Sequence, residues 1–175
     1  MSLAAAPARP AEPVQINQIA FVVRDVDDTL ENFTCTLGWG PWNVYELEPP
    51  ELHDTYVRGV PTDFTMILAM TQVGPIEVEV IQPLEGPSIY REWLDDHGEG
   101  LHHLAVVQPH TSDFEDDEAT RAHFEKLGAP VLMEGRIGGS HFWYFDTQPV
   151  LKAVFETVAG RADGPKLTRV YPSER

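Results

Sequence analysis

The chain has 175 residues, an apolar share of 42%, one cysteine, and 12 Lys and Arg against 28 Asp and Glu for a formal net charge of −16. Such a length and apolar content suit one ordinary globular domain. A surface that acidic repels phosphate backbones and anionic lipid, and no apolar run approaches the roughly 20 residues that span a bilayer, so neither nucleic acid nor membrane is an expected partner. The single Cys35 excludes an intramolecular disulfide and a Cys-rich zinc module. With no apolar stretch of the signal-peptide kind at the N-terminus, a cytoplasmic protein is expected.

In chain order, residues 1–14 are Ala- and Pro-rich and read as a tail. A first module, 15–84, opens with a strand over about 15–23 and a helix over about 26–37 that ends at Leu37-Gly38, where glycine suits the cap. Strands follow near 43–48, 63–72 and 76–82, short, β-branched and bounded by Gly, Pro and Asp. Residues 85–101 form a linker with a helix near 88–96. The second module, 102–158, repeats the order: a strand near 102–108, a helix near 113–127, and strands near 130–136, 141–146 and 151–158. Ser112 followed by Glu115 is a capping-box pattern for that helix, which ends at Leu127-Gly128. Residues 159–175 carry two prolines and no hydrophobic period, and read as a surface-hugging or loose tail.

The repeat is visible in the residues. Gln18-Ile19-Ala20-Phe21-Val22-Val23 matches His103-Leu104-Ala105-Val106-Val107, and Glu79 and Glu156 each stand in the last strand of their module. The economical architecture is α+β: two βαβββ modules pairing into a curved, mostly antiparallel sheet. Strand alternation then puts Ile19 and Phe21 on one face and Gln18 and Ala20 on the other, with Glu77 and Glu79 opposite Ile76, Val78 and Val80. A single such Glu is an ordinary solvated strand residue. Four donors at equivalent positions are a different matter, because a curved sheet would bring Gln18, Glu79, His103 and Glu156 together. An imidazole, two carboxylates and an amide oxygen suit one divalent ion (Zn²⁺, Ni²⁺, Co²⁺, Mn²⁺ or Fe²⁺).

The segments Gln18-Ile19-Ala20-Phe21-Val22-Val23, Val78-Glu79-Val80-Ile81-Gln82-Pro83-Leu84, Gly98-Glu99-Gly100-Leu101-His102-His103-Leu104-Ala105-Val106 and Val154-Phe155-Glu156 resemble the vicinal oxygen chelate superfamily (glyoxalase I, methylmalonyl-CoA epimerase, extradiol dioxygenases, bleomycin-resistance proteins) over about residues 15–158. The resemblance implies that Gln18, Glu79, His103 and Glu156 hold the metal, in the order found in zinc glyoxalase I. Gln18 stands where epimerases carry His, and where iron dioxygenases need one of two His. Val22 and Pro83 stand where glyoxalase I carries the Arg and Asn that hold glutathione.

The chemistry this implies is isomerase, epimerase or lyase chemistry: removal of a proton next to a carbonyl of a small-molecule substrate, with a metal-stabilised enolate. Glu156 is the first candidate for the base, by resemblance to glyoxalase I, and Glu77 the second because it shares the Glu79 face. The alternatives are an iron-dependent extradiol-type dioxygenase and a metal-free protein that binds a drug-like or aromatic molecule. A homodimer is expected, as family members are often dimers. His102 is expected on the face opposite His103 in a structural role, His141 as a strand-edge residue, His53 and His97 in loops, and Trp39 and Trp42 in core packing.

Overall fold

The computed structural model describes residues 15–107, 121, 124–125, 128–160 and 164–173. The elements are β1 (Gln18–Val22), α1 (Val26–Leu37), β2 (Trp42–Leu47), β3 (Leu52–Val57), β4 (Val60–Pro61), β5 (Met66–Val73), β6 (Ile76–Pro83), α2 (Ile89–Asp96), β7 (Gly100–Val107), β8 (Val131–Ile137), β9 (Ser140–Phe145), the one-turn α3 (Gln148–Leu151), β10 (Val154–Gly160) and β11 (Arg169–Tyr171). The helix expected over 113–127, with its capping box, lies largely outside the described residues; Phe124, from that stretch, stacks on Phe145 at 4.4 Å.

Local chemistry sets the ends of the two longer helices. Asp25 accepts from the Asp28 N–H and Ser88 from the Arg91 N–H, so each helix begins on a side-chain cap. Gly38, at φ 71, ends α1 in the left-handed region that its missing Cβ permits.

Among the described residues the strands form one eleven-stranded sheet in the order β11-β2-β5-β6-β1-β7-β10-β9-β8-β3-β4. Its eight central members are the two βαβββ modules set head to head. Each module's first strand runs parallel to its last (β1 with β6, β7 with β10), and the modules meet where β1 pairs antiparallel with β7. Alternation sorts the side chains as the sequence reading expects. Val78, Val80, Val23 and Ala69 pack under Val26 and Leu30 of α1 on the convex face. Val22, Ile81, Met66, Leu68, Phe142 and Val154 gather on the concave face with Ile89, Tyr90 and Leu94 of α2.

Two features are not expected from the sequence. β3 follows β2 in the chain yet pairs with β8 at the opposite end of the sheet. Only residues 48–51 join Leu47 to Leu52, a reach of about 19 Å at most, so the two ends of the sheet curl toward each other. Bare backbone at Gly135 makes this crossing fit: a Cβ there would stand 2.8 Å from Thr55 Cγ2 and 2.7 Å from Phe142 Cζ. Secondly, the segment after residue 158 extends β10 to Gly160 and later supplies β11, antiparallel to β2. Lys166 N–H donates to the Glu51 carboxylate, Thr168 N–H to Val44 O (2.9 Å), and Arg169 pairs with Asp27. The chain end thus covers an edge that would otherwise present open backbone groups. Among the described residues no helix is long and apolar enough to cross a membrane.

Candidate metal centre

The four expected donors come from the four adjacent central strands β6, β1, β7 and β10. Registry explains how they meet. Gln18 lies opposite Ala105 and Ala20 opposite His103, while Ala20 also pairs with Glu79 and Ala105 with Glu156. Each donor therefore faces an alanine across the strand, and the donors sit on diagonals around a patch floored by two fully buried methyl groups. A larger residue at Ala20 or Ala105 would fill that space.

All four are nearly withdrawn from solvent: Gln18 is 3% exposed, Glu79 6%, His103 1% and Glu156 4%. His103 Nε2 stands 2.9 Å from Glu156 Oε2 and 3.4 Å from Glu79 Oε2. One ligand atom from each of these three residues falls within 4.8 Å of the other two. Yet Gln18 Oε1, Glu79 Oε2, His103 Nε2 and Glu156 Oε2 make no hydrogen bond of acceptable geometry, although the histidine and carboxylate atoms lie within ion-pair distance. Buried polar atoms without partners are costly and rare. Here they occur in one set, on the residues singled out in the sequence. The only other such atom among the described residues is Trp93 Nε1, on an indole that packs edge-on to His102.

The electrostatics agree. Burial pushes the Glu79 carboxyl up to about 7; His103 opposes that shift, and the charges of Glu156 and Glu77 add to it. Burial alone would lower His103, but the Glu156 and Glu79 carboxylates override it and raise the imidazole to about 9. Two buried carboxylates held apart by one imidazolium form a proton-occupied version of a cation site.

Among the described residues, Glu77 and His102 hydrogen-bond to members of the four, and Tyr144 packs edge-on to His103 at 4.9 Å. Glu77, on the same face of β6, accepts through Oε1 from Gln18 Nε2 at 2.8 Å. His102 departs from expectation. Registry passes from Ala20↔His103 to Phe21↔Leu101, so His102 is the extra residue of a β-bulge. It does not lie wholly on the far face: its Nδ1 is 2.9 Å from His103 Nδ1, and its ring packs against Tyr90, Trp93 and Tyr144. Burial beside His103 drives its pKa well down, so the ring is neutral.

Above this floor opens a cavity of about 290 Å³. Its walls include Met66, Leu68, Met70, Ile137, Phe142 and Val158, with Tyr90 and Tyr144 joined hydroxyl to hydroxyl at 2.8 Å. Gly164 and Pro165 line it too, so the C-terminal segment forms part of the wall. Sequence reading does not single out these wall residues. The signal is present in β5, whose Met66, Leu68 and Met70 alternate and whose Met70 lies opposite Glu79. Several other candidates lie away from the floor. His141 is on β9 against Trp143 (3.7 Å between rings), with Nε2 3.6 Å from Glu134. His53 lies on β3 beside Asp54, and His97 stacks on Trp93 at 4.3 Å. Trp42 is fully buried in the convex core, with Trp39 packed against that core, and Cys35 is exposed.

Comparison with known families settles the relationship. Residues 17–145 match the family described as Glyoxalase/Bleomycin resistance protein/Dioxygenase superfamily. The chain belongs to that superfamily. No curated protein matches it. Among solved structures, a methylmalonyl-CoA epimerase in complex with methylmalonyl-CoA and NH4+ superposes with a TM-score of 0.61 at 22% identity, covering 87% of this chain and 99% of that one. A Streptomyces coelicolor methylmalonyl-CoA epimerase variant in complex with 2-nitronate-propionyl-CoA gives 0.61 at 23% identity, over 85% and 99% of the two chains. A hypothetical protein from Bacillus halodurans gives 0.59 at 13% identity, over 87% and 98%. At these identities the likeness is one of fold. Superfamily members commonly use a divalent metal, and the residues present fit one: a cation bound between them would satisfy all four orphaned atoms at once.

Proposed function

We propose that the protein is a divalent-metal-dependent isomerase, epimerase or lyase that removes a proton next to a carbonyl of a small substrate. The convergence of four partnerless buried donor atoms beneath an apolar cavity carries this reading. Gln18, Glu79, His103 and Glu156 would hold the ion. When bound, it supplies Lewis acidity toward adjacent substrate oxygens and offsets the charge of two buried carboxylates.

The chain's own residues do the rest. Met66, Leu68, Met70 and Phe142 line the cavity and exclude water from the reacting carbon, favouring a substrate with an apolar body. Glu156 reaches the cavity from β10 and takes the proton. The C–H bond breaks, its electron pair moves toward the carbonyl oxygen, and the proton rests on the carboxylate until it is returned. Return to the neighbouring carbon gives the isomer; the epimer forms when a second acid protonates the opposite face of the same carbon and Glu156 releases its proton to solvent. Glu77, the second candidate, already has one oxygen engaged by Gln18.

The apolar wall also suits a second reading, a metal-free protein that binds an aromatic or drug-like molecule. Elemental analysis of purified, dialysed protein separates the two. About one divalent ion per chain, lost in a Glu79→Ala/Glu156→Ala double variant, is expected. A protein that carries no ion and takes up none of Zn²⁺, Ni²⁺, Co²⁺, Mn²⁺ or anaerobic Fe²⁺ would overturn the proposal and leave the binding protein. Deuterium uptake at the α-carbon of 2-oxo and acyl compounds in D₂O then reports the proton transfer whatever product is formed.

A further inference from the structure

We infer that Glu77 and His102 are positioning residues that determine which atom of Gln18 and which nitrogen of His103 is presented to the space between the four central strands. The inference rests on the proposal that this space holds a divalent cation.

A glutamine amide carries an acceptor on one side and a donor on the other, and either can face inward. The contact with Glu77 selects between them for Gln18. Nε2 lies 2.8 Å from Glu77 Oε1 and donates to it. With the amide nitrogen facing Glu77, the oxygen turns inward. That oxygen is the partnerless buried atom. A nitrogen in its place would offer a cation two hydrogens and no lone pair.

The histidine pair obeys similar logic. Two ring nitrogens 2.9 Å apart must share one proton, so one donates and the other accepts. His103 can offer the Nε2 lone pair to a cation only while its Nδ1 keeps the proton. His102 Nδ1 is then the acceptor. His102 can thus accept this proton and keep the His103 ring aimed. The bulge makes this possible by bringing two sequential side chains together that alternation would separate. Tyr90, Trp93 and Tyr144 pack around the His102 ring and hold it in that pose.

The test uses Zn²⁺ and a competing chromogenic chelator on wild type and on Glu77→Leu, His102→Phe and His102→Asn, with thermal melting of each metal-free protein in parallel. Partners of ligating residues typically contribute about 10- to 100-fold to metal affinity. Glu77→Leu and His102→Phe are each expected to weaken Zn²⁺ by that factor. His102→Asn, whose side-chain oxygen can replace the accepting nitrogen, is expected to recover most of the loss. A general packing defect would instead track the melting temperature and would not be rescued by Asn. In wild type loaded with Zn²⁺, long-range ¹H–¹⁵N NMR of the imidazoles is expected to show the proton on His103 Nδ1 and none on His102 Nδ1. This measurement does not depend on any variant folding. Zinc binding by wild type together with undiminished binding by both Glu77→Leu and His102→Phe, or a proton on His102 Nδ1 in the zinc form, would overturn the inference and leave the proposed function standing. Absence of zinc binding by wild type would overturn both.

Discussion

Strand β6 presents two environments within eight residues. On its convex side Val78 and Val80 are buried under α1 with Leu30 and Val26, an apolar contact on a strand paired along both edges. On its concave side Glu79, between them in sequence, is also buried, and one of its oxygens makes no hydrogen bond. The first face contributes stability by removing apolar area from water. The second costs stability by desolvating a carboxylate. A sequence shaped for stability alone would not place both on one strand. The contrast supports the proposed reading, in which the concave floor holds an ion and the convex core provides the stability that tolerates it.

Perturbing each face separately sharpens this. The largest effect is expected from Glu156→Gln, which keeps shape and removes both the proposed proton acceptor and one charge of the proposed ion site: in folded protein, deuterium exchange at the substrate α-carbon should fall by about 10²- to 10⁴-fold. Leu30→Ala should do the reverse. It should cost about 2–5 kcal/mol in denaturant unfolding, while the folded fraction keeps its metal content. Next in size is ion binding itself. An ion at 100 times its dissociation constant should stabilise the protein by about 2.7 kcal/mol, and Glu79→Ala should abolish that gain.

The smallest expected effect is the pH profile of the metal-free protein. Glu79 titrates near 7 when folded, above the ordinary carboxyl value, because burial favours its neutral form. The folded state thus holds that proton more tightly than the unfolded chain. The associated stability is fully present below about pH 4.5 and is lost as pH rises through 7. His103, raised to about 9 by its carboxylate neighbours against the effect of burial, adds stability below about pH 6.5 that is lost as pH rises through 9. Metal-free protein should therefore unfold more readily at pH 9 than at pH 6, and Glu79→Gln should flatten the lower part of the profile. A metal-free profile that rises with pH would contradict the burial of these groups.

The sequence discloses the parts of the molecule governed by local rules. Asp25 and Gly38 mark both ends of α1, and simple alternation puts Gln18, Glu79, His103 and Glu156 on one face because β1, β6 and β10 keep their parity over the residues concerned. Parity fails at His102, where a bulge inserts one residue, and the sequence carries no local mark of it. β3 escapes a sequence reading for another reason. Leu52–Val57 includes His53 and Asp54, and Asp54 adopts φ 50, so the segment lacks a clean strand pattern. Its partner β8 lies at the far end of the sheet, a pairing no window of sequence contains. β11, short and followed by Pro172, gives no periodic signal, yet it holds the chain end to β2, and the segment leading into it places Gly164 and Pro165 against the cavity.

The crossing of β3 has a consequence for inheritance and engineering. The first half of the chain has lent a strand to the second, so neither half carries all of its own sheet. Splitting the chain within residues 85–88 would give fragments that are incomplete apart and complementary together. Replacing the first half with that of a relative would also change the edge strand of the second half, and with it the packing at Gly135 and Phe142. Because the sheet of the second half is closed by a strand of the first, substitutions along β3 and β8 are coupled across the two halves.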